Sequence, residues 1–231
     1  MCASYGLDPR EGGYKTLSRL MDEESLRSLQ EWVKANERKP VRPTGKNLRN
    51  LNPIVRDAGE GAGLELGWWG YLAKGEPVKW PSINTKSERL KEQPGAANGR
   101  VLVPATEWWE KQKPSMQWVD FATSELFLMA AVTRDGTPAG GSPVTCYSLV
   151  MQPARSDLAH LHDRMPLLIP ESFYSEWLDP GQGGSRELIE AAIAAGQGVN
   201  EMVRAASSTG PDLTKPTRQC RGDGTLDLPG L

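Results

Sequence analysis

The order of the strand-like segments constrains the fold of this chain more than any other feature. Four such segments lie close together, with no helix-forming stretch between them: VLVPA (101–105), MQWVDF (116–121), ELFLMAAVT (125–133) and VTCYSLVMQ (144–152). The second and third predict a hairpin joined by a short turn. A doubly wound parallel sheet would alternate its strands with helices, so this order predicts an α+β fold. We expect a single domain with a β-rich, barrel-like core and peripheral helices.

Helices are expected on either side of these strands. Residues 16–36 carry Leu, Trp and Val at helical spacing, and Asp22 lies near a plausible start. Residues 154–162 and 170–178 predict short helices. Residues 186–196 predict a longer helix, RELIEAAIAAG, that ends at its glycine.

The remaining segments predict less regular structure. Residues 37–63 are rich in Pro, Gly, Asn and Arg and predict an irregular loop, and ELGWWGYL (65–72) predicts a strand that ends in a turn. Beyond about residue 205 the chain has no periodicity, which is typical of a loosely ordered tail. We therefore expect one domain over residues 1–205 and a tail over residues 206–231.

The composition argues against several classes of protein. The chain has 231 residues, of which 38% are hydrophobic and 24% charged, as is typical of a globular protein. It contains neither an apolar run of membrane-spanning length nor a secretory leader, so we expect a cytoplasmic protein, associated with the nucleoid if it is bacterial. Three scattered cysteines argue against a disulfide framework and a zinc ribbon. The only histidines in the sequence are His160 and His162, which excludes a histidine-rich metal site. A metal site made of these two histidines and a carboxylate stays possible.

The charges are unevenly distributed. A net charge of −2 argues against binding of nucleic acid over the whole surface. Between Lys34 and Arg56, however, seven basic residues accompany a single acid, Glu37. Such a stretch can hold phosphates, and it is equally typical of a solvated face or loop.

Cys2 would become the first residue if Met1 were removed. It would then carry an α-amine and a thiol, which together condense with an aldehyde: the amine forms a Schiff base, and the thiol closes on the imine carbon to give a thiazolidine. Closure is easy because the thiol is intramolecular. A small residue at position 2 is also common without any function, so this chemistry requires partners: a carboxylate to accept the proton of the amine, and an acid to open a cyclic hemiacetal.

Two segments could supply these partners. Glu110 follows two tryptophans, where apolar rings would perturb the pKa of a carboxyl group, although it could also be an exposed carboxylate. His162 has an ordinary pKa near neutrality and could be the acid, and Arg164 could hold a phosphate. The same segment is also typical of a helix end at which Asp163 pairs with Arg164.

The pair Trp68 and Trp69 precedes Gly70. Alternation along a strand would bury one ring and expose the other, which would leave a face for stacking on an unpaired base.

Together these segments resemble the SRAP family, the SOS response-associated peptidase-like proteins. The resemblance runs in order through about residues 1–180 and rests on MCAS at the start, WWG (68–70), NTKSE (84–88), VPATEWWEK (103–111), HDRMPLLIP (162–170) and WLDP (177–180).

The resemblance implies covalent capture of abasic sites in single-stranded DNA, through a thiazolidine on Cys2 that shields the lesion. Asn84 would contact the reacting sugar, Glu110 would assist the amine, and His162 would protonate the ring oxygen of the sugar. The implied site comprises a catalytic set, Cys2, Asn84, Glu110 and His162, and a DNA-binding set, Trp68, Trp69, Lys86 and Arg164. The implied protein is a monomer that needs no cofactor or metal, binds single-stranded DNA with abasic sites and has no membrane partner.

The chain departs from the family pattern at four positions. The residues in question are Ser4 and Lys86, which replace arginines, Glu107, which replaces a glycine, and Lys111, which replaces an aromatic residue. Lys86 keeps the positive charge but loses the bidentate fork of arginine.

Two other functions stay open at this point. An N-terminal-nucleophile amide hydrolase or self-processing peptidase would use the thiolate of Cys2, with its own amine as base. A non-covalent module for single-stranded DNA would use the basic stretch and the tryptophans.

Overall fold

The computed structural model describes residues 2, 4–9, 13–36, 39–43, 51–59, 61–78 and 82–211 of the chain. Its strands are β1 (Tyr5–Gly6), β2 (Leu51–Asp57), β3 (Ala62–Trp69), β4 (Leu72–Ala73), β5 (Glu76–Pro77), β6 (Asn84–Lys86), β7 (Arg100–Lys111), β8 (Trp118–Gly136), β9 (Val144–Pro153), β10 (Arg164–Pro166), β11 (Leu168–Ile169) and β12 (Arg204–Ser208). Its α-helices are α1 (Glu23–Ala35), α2 (Ser87–Glu92), α3 (Tyr174–Leu178), α4 (Arg186–Ala195) and α5 (Gln197–Met202), and short 3₁₀ helices lie at Leu17–Arg19, Pro94–Ala97 and Glu171–Phe173.

Five of these strands close into a barrel in the order β7–β2–β3–β9–β8, and β8 pairs back with β7 to complete the ring. The β3–β9 pair is parallel, whereas the other barrel pairs are antiparallel. A barrel of this size is filled by its own side chains. Ile54, Leu102, Leu128 and Tyr147 are all fully buried there. The α+β fold with a barrel-like core, expected from the sequence, is confirmed.

The hairpin predicted between residues 116 and 133 is wrong. Both halves belong to the single long strand β8, and both pair with β7 rather than with each other. The register places Ala105 opposite Phe127 and Glu107 opposite Ala122, so residues 123–126 of β8 form an irregular insertion. The turn-like residues therefore mark a bulge, which bends a strand without reversing it.

The irregular loop predicted over residues 37–63 is wrong for residues 51–57 and 62–63, which form strands. The segment contains β2 and the start of β3, which pair over seven positions from Leu51↔Trp68 to Asp57↔Ala62. Tertiary pairing overrides the low strand propensity of Asn52 and Pro53. Residues 44–50 lie outside the described residues, and so does part of the basic stretch.

The longer helices are confirmed. Asp22 caps α1, where its Oδ1 accepts a hydrogen bond of 2.7 Å from the backbone N–H of Ser25. Helix α4 ends before Gly196, where a Cβ would collide with the carbonyl oxygen of Leu168.

The shorter elements and the carboxyl end differ in part from expectation. Residues 170–178 form a 3₁₀ turn and α3, as expected, whereas residues 154–162 form turns and no helix. Strand β12 pairs with β8 and runs to Ser208, beyond the expected domain end at residue 205. Residues 212–231 lie outside the described residues. Among the helices in the described ranges, none has both the length and the apolar character to cross a membrane.

Candidate active site

Cys2 is held in the interior by contacts with both its thiol and its backbone. The residue is fully buried, and its thiol donates to the carbonyl oxygen of Ser4 at 3.5 Å. Three residues later the chain enters β1, which pairs with β7 through Tyr5↔Trp108 and places Cys2 near Glu110. Burial raises the pKa of the Cys2 thiol, and the negative charge of Glu110 raises it further.

Asn84 contacts the backbone of Cys2. It begins β6, which runs parallel to β9, and its side-chain Nδ2 donates a hydrogen bond of 2.7 Å to the carbonyl oxygen of Cys2. Its Oδ1 is buried and accepts no hydrogen bond from any residue that the structure describes. A buried acceptor in that state is energetically unfavourable and is available to a hydroxyl group of a ligand.

Glu110 and His162 form a buried acid–base pair. The carboxylate Oε2 of Glu110 lies 3.7 Å from Nε2 of His162. Burial raises the pKa of Glu110 to about 7 and lowers the pKa of His162. Near neutral pH, therefore, the carboxyl group holds its proton more strongly than usual and the imidazole holds its proton more weakly.

The other ring nitrogen of His162 faces the backbone. Its Nδ1 lies 3.1 Å from the backbone N–H of Arg164 and 3.0 Å from the carbonyl oxygen of the same residue. One tautomer accepts from the N–H and the other donates to the carbonyl. Nε2 can therefore serve as donor or acceptor towards Glu110 without rotation of the ring.

Arg164 pairs with Glu88 and not with Asp163. Its guanidinium NH1 lies 2.6 Å from Oε1 of Glu88, at the start of α2, whereas Asp163 is exposed and contacts His162. The alternative of a helix end with an Asp163–Arg164 pair is therefore wrong. Lys86, two residues before Glu88, is exposed at the end of β6.

The prediction that one of Trp68 and Trp69 is exposed is wrong. Only 4% of Trp68 and 2% of Trp69 are accessible, because both faces of β3 are covered at its carboxyl end. The Trp69 ring stacks on Tyr147 with centroids 6.2 Å apart, and its Nε1 donates to the carbonyl oxygen of Ile83 at 2.9 Å. In this conformation neither ring offers a face to a base.

Sequence reasoning missed a buried pair of tyrosines behind Cys2. The hydroxyl groups of Tyr5 and Tyr147 are 3.0 Å apart, and both residues are fully buried. Burial raises the pKa of each hydroxyl group. Because 142 positions separate the two residues, no local motif could have linked them.

Two other features do not contribute to this site. A polar cleft of about 700 Å³ is lined by Asp8, Arg19, Glu107 and Glu171, among others, but by none of the predicted site residues. Within the described part of the chain, no three His, Cys, Asp or Glu side chains come together as a metal-ligand group.

Ser4 is turned inward, and its hydroxyl donates to the carbonyl oxygen of Val41 at 3.2 Å.

Comparison with proteins of known structure supports the architecture. A crystal structure of a protein from Bordetella bronchiseptica superposes with a TM-score of 0.63 at 15% identity, covering 90% of this chain and 99% of that one. A second, from Bacteroides thetaiotaomicron, superposes with a TM-score of 0.64 at 14% identity, covering 89% of this chain and 91% of that one. At such identities the likeness shows the shared fold.

Curated relatives were found in Bacillus subtilis. The abasic site processing protein YoqW is 29% identical over 148 residues, which cover 57% of this chain and 64% of YoqW. The abasic site processing protein YobE is 28% identical over 148 residues, covering 57% of this chain and 65% of YobE. The match thus spans just under two thirds of the length of these relatives.

A comparison with protein families matches residues 14–206 to SRAP, the SOS response associated peptidase family. This range covers most of the chain and includes Asn84, Glu110 and His162, together with every strand of the barrel. The chain belongs to the SRAP family.

Proposed function

We propose that the protein captures abasic sites in single-stranded DNA covalently, through the amine and thiol of Cys2. The observation that carries the proposal is the convergence of four side chains from distant parts of the chain. Asn84 binds the backbone of Cys2, the charge of Glu110 acts on the Cys2 thiol, and His162 contacts Glu110. The names of the Bacillus relatives, abasic site processing proteins, support the same substrate.

The chemistry begins with an α-amine on Cys2, which requires removal of Met1. The amine attacks the aldehyde carbon of the ring-opened sugar, and the resulting carbinolamine loses water to form an imine. The thiol sulfur then adds to the imine carbon, its proton passes to the nitrogen, and the ring closes. Aldehyde and aminothiol thus give thiazolidine and one water, with no oxidant or reductant.

Glu110 and His162 are suited to move the protons in these steps. Because its pKa is raised to about 7, the Glu110 carboxylate can accept a proton from the amine and release it again near neutral pH. His162 donates from Nε2 to the ring oxygen of the sugar, which opens the hemiacetal and exposes the aldehyde. The Cys2 thiol, whose pKa is raised by burial, stays protonated until it adds to the imine.

The remaining polar groups position the lesion. The buried Oδ1 of Asn84 accepts a hydrogen bond from a sugar hydroxyl. Lys86 is exposed beside the site, and Arg164 is part exposed, so both can approach phosphates. Since Trp68 and Trp69 are buried, we assign them to the core beneath the site and not to base stacking.

The alternatives fit these observations less well. An amide hydrolase that attacks with a thiolate needs a lowered thiol pKa, whereas burial raises that of Cys2. A module that only stacks bases on tryptophan needs exposed rings, and Trp68 and Trp69 are covered.

A denaturing gel tests the proposal directly. The purified protein is mixed with single-stranded DNA that contains one abasic site, beside a strand that contains none. We expect a heat-stable, slower band with the abasic strand only, for the wild-type protein and for Cys146→Ala, since Cys146 is a buried cysteine outside the site. Cys2→Ala should give no band. An intact mass that retains Met1 in protein that still forms the adduct would contradict the proposal.

A further inference from the structure

We propose that the last residue of β7 and the turn that leads into β8, residues 111–117, contact the nucleotide that flanks the abasic sugar. We call this segment the hairpin tip. Its lysines hold phosphates of the strand, and the side chain of Met116 packs against the neighbouring base. The inference rests on the proposed function and adds a surface that contacts intact DNA beside the lesion.

The hairpin tip is attached to the catalytic cluster. It begins with Lys111, the residue after Glu110. The side-chain Nε2 of Gln112 donates to the carbonyl oxygen of His160 at 3.5 Å, which fixes the tip against the turn that leads to His162. Burial is the main cause of the lowered His162 pKa, and the positive charge of Lys113 lowers it further. A strand whose sugar reaches His162 therefore passes the tip.

The charge of the tip suits a phosphate backbone. The sequence KQKPSMQ contains two lysines and no acid, on a chain whose net charge is −2. The Lys111 ammonium is held 4.9 Å above the centre of the Trp118 ring, and Lys113 is exposed. Cations fixed beside the site attract and align a polyanion that the protein as a whole would not attract.

Met116 projects an apolar side chain from this charged turn. It is 53% exposed. Among the described residues, the only other exposed large hydrophobic side chain is that of Met202, at 51%. Its backbone has a φ of 57°, a conformation that is unfavourable for a residue with a Cβ. The Met116 N–H donates to the Gln112 carbonyl at 2.7 Å, which keeps the residue in this position.

A base is the partner that fits this arrangement. A nucleotide has an apolar base next to a negative charge, and the tip carries an exposed Met116 in the same seven-residue segment as the exposed Lys111 and Lys113. A methionine side chain is flexible and polarisable, so it can pack on any of the four bases. The contact is therefore independent of sequence, as a protein that recognises a missing base requires.

The test measures binding to a strand that cannot react. The probe is a fluorescent single-stranded oligonucleotide with a tetrahydrofuran abasic analogue, which has no aldehyde, and anisotropy is recorded between about 50 and 200 mM salt. The double variant Lys111→Gln/Lys113→Gln should bind more weakly, and its slope of log K against log salt should fall by about 1.4, for two phosphate contacts on a single strand. Met116→Ala should bind about fivefold more weakly at every salt concentration, with the slope unchanged.

Matched controls come from elsewhere on the surface. Met202→Ala removes the equally exposed methionine of α5, and Lys15→Gln removes an exposed lysine of the polar cleft that lies outside the site. Both should bind as the wild-type protein does. Wild-type affinity and wild-type salt slope in both tip variants would overturn the inference.

A small aldehyde separates this inference from the proposed function. Deoxyribose 5-phosphate needs Cys2 but has no neighbouring base, so Met116→Ala should form its adduct at the wild-type rate, measured by intact mass. If the adduct forms at that rate and the tip variants also bind the oligonucleotide normally, the tip has no role and the proposed function stands. If the wild-type protein forms no adduct, the proposed function fails, and the anisotropy series still decides whether the tip binds the strand.

Discussion

Nε2 of His162 lies 3.7 Å from Oε2 of Glu110, and only 12% and 5% of the two side chains are exposed. Burial acts on them in opposite directions, since it raises the pKa of the carboxyl group to about 7 and lowers that of the imidazole. Burial therefore shifts the proton balance of the pair away from the imidazole and towards the carboxyl group.

The first prediction concerns the pH dependence of crosslinking. The rate should rise as the pH increases through about 7, because the ionised carboxylate of Glu110 is the proposed base. Glu110→Gln should lower the rate by about 100-fold or more and remove this rise. Initial rates on denaturing gels at a series of pH values measure both effects. The α-amine also titrates above neutrality, so an unchanged pH profile in Glu110→Gln would assign the rise to the amine and contradict the role of Glu110.

The second prediction concerns stability. The folded pKa of Glu110, about 7, lies above its unfolded value, so the folded state binds more protons between these two values. Stability should therefore fall as the pH rises from about 4.3 to about 7, by up to about 4 kcal/mol from this group. Glu110→Gln should lack this loss, so the variant should be the more stable protein at pH 8. Urea unfolding at pH 5 and pH 8 measures the difference, and parallel changes in both proteins would contradict it.

The third prediction concerns the hydrogen bond from Asn84 to Cys2. Asn84→Ala removes a buried donor and should destabilise the protein by about 1–2 kcal/mol. Asn84→Asp should be worse for crosslinking, since it directs a carboxylate at the carbonyl oxygen of Cys2. Thermal unfolding and crosslinking rates distinguish the two. If both variants crosslinked at the wild-type rate, the Nδ2 donor would not position Cys2.

The fourth prediction concerns the ion pair between Arg164 and Glu88. The two side chains are 17% and 41% exposed, so phosphate must compete with the carboxylate for the guanidinium. Glu88→Gln should therefore strengthen binding of single-stranded DNA about twofold to fivefold. Arg164→Gln should weaken binding and lower the salt slope by about 0.7. Anisotropy over a salt series measures both. Unchanged binding in Glu88→Gln would mean that Arg164 does not contact phosphate.

The fifth prediction concerns a buried arginine outside the site. The Arg100 guanidinium donates to the carbonyl oxygens of Ala97, Trp177, Asp179 and Gln182 at 2.6–2.8 Å. Arg100→Met leaves these acceptors without their donor and should destabilise the protein by about 3–5 kcal/mol. Arg134→Met, which removes an arginine that lies over the Tyr71 ring, is the control and should have a much smaller effect. Urea unfolding of both variants measures the difference.

Local sequence patterns were sufficient to predict the elements whose own residues favour that secondary structure. Helix α1 was predicted from its periodicity and from Asp22, and β9 from a run of apolar and β-branched residues. Strand β2 and the length of β8 could not be predicted in this way. Asn52 and Pro53 lie in a strand because β3 pairs with them, and residues 123–126 bulge because β7 continues past them.

The same distinction applies to the site. Its residue types were identified from the motifs they resemble, but their contacts come from strand pairing: β1 on β7, β6 on β9 and β10 on β9. The burial of Trp68 depends on what covers the second face of β3, and no pattern within the strand encodes that cover. The Tyr5–Tyr147 pair likewise exists only once the barrel has closed.

The shortness of β1 has a mechanical consequence. Tyr5 and Gly6 pair the first residues with β7, the N–H of Trp109 donates to the carbonyl oxygen of Ser4, and a bridge joins Tyr5 to Val41. Under the proposed function, a force on the captured DNA would act at Cys2 and would separate β1 from β7 one residue pair at a time. The strand pairs that close the barrel do not include β1, so they would remain formed while β1 detached.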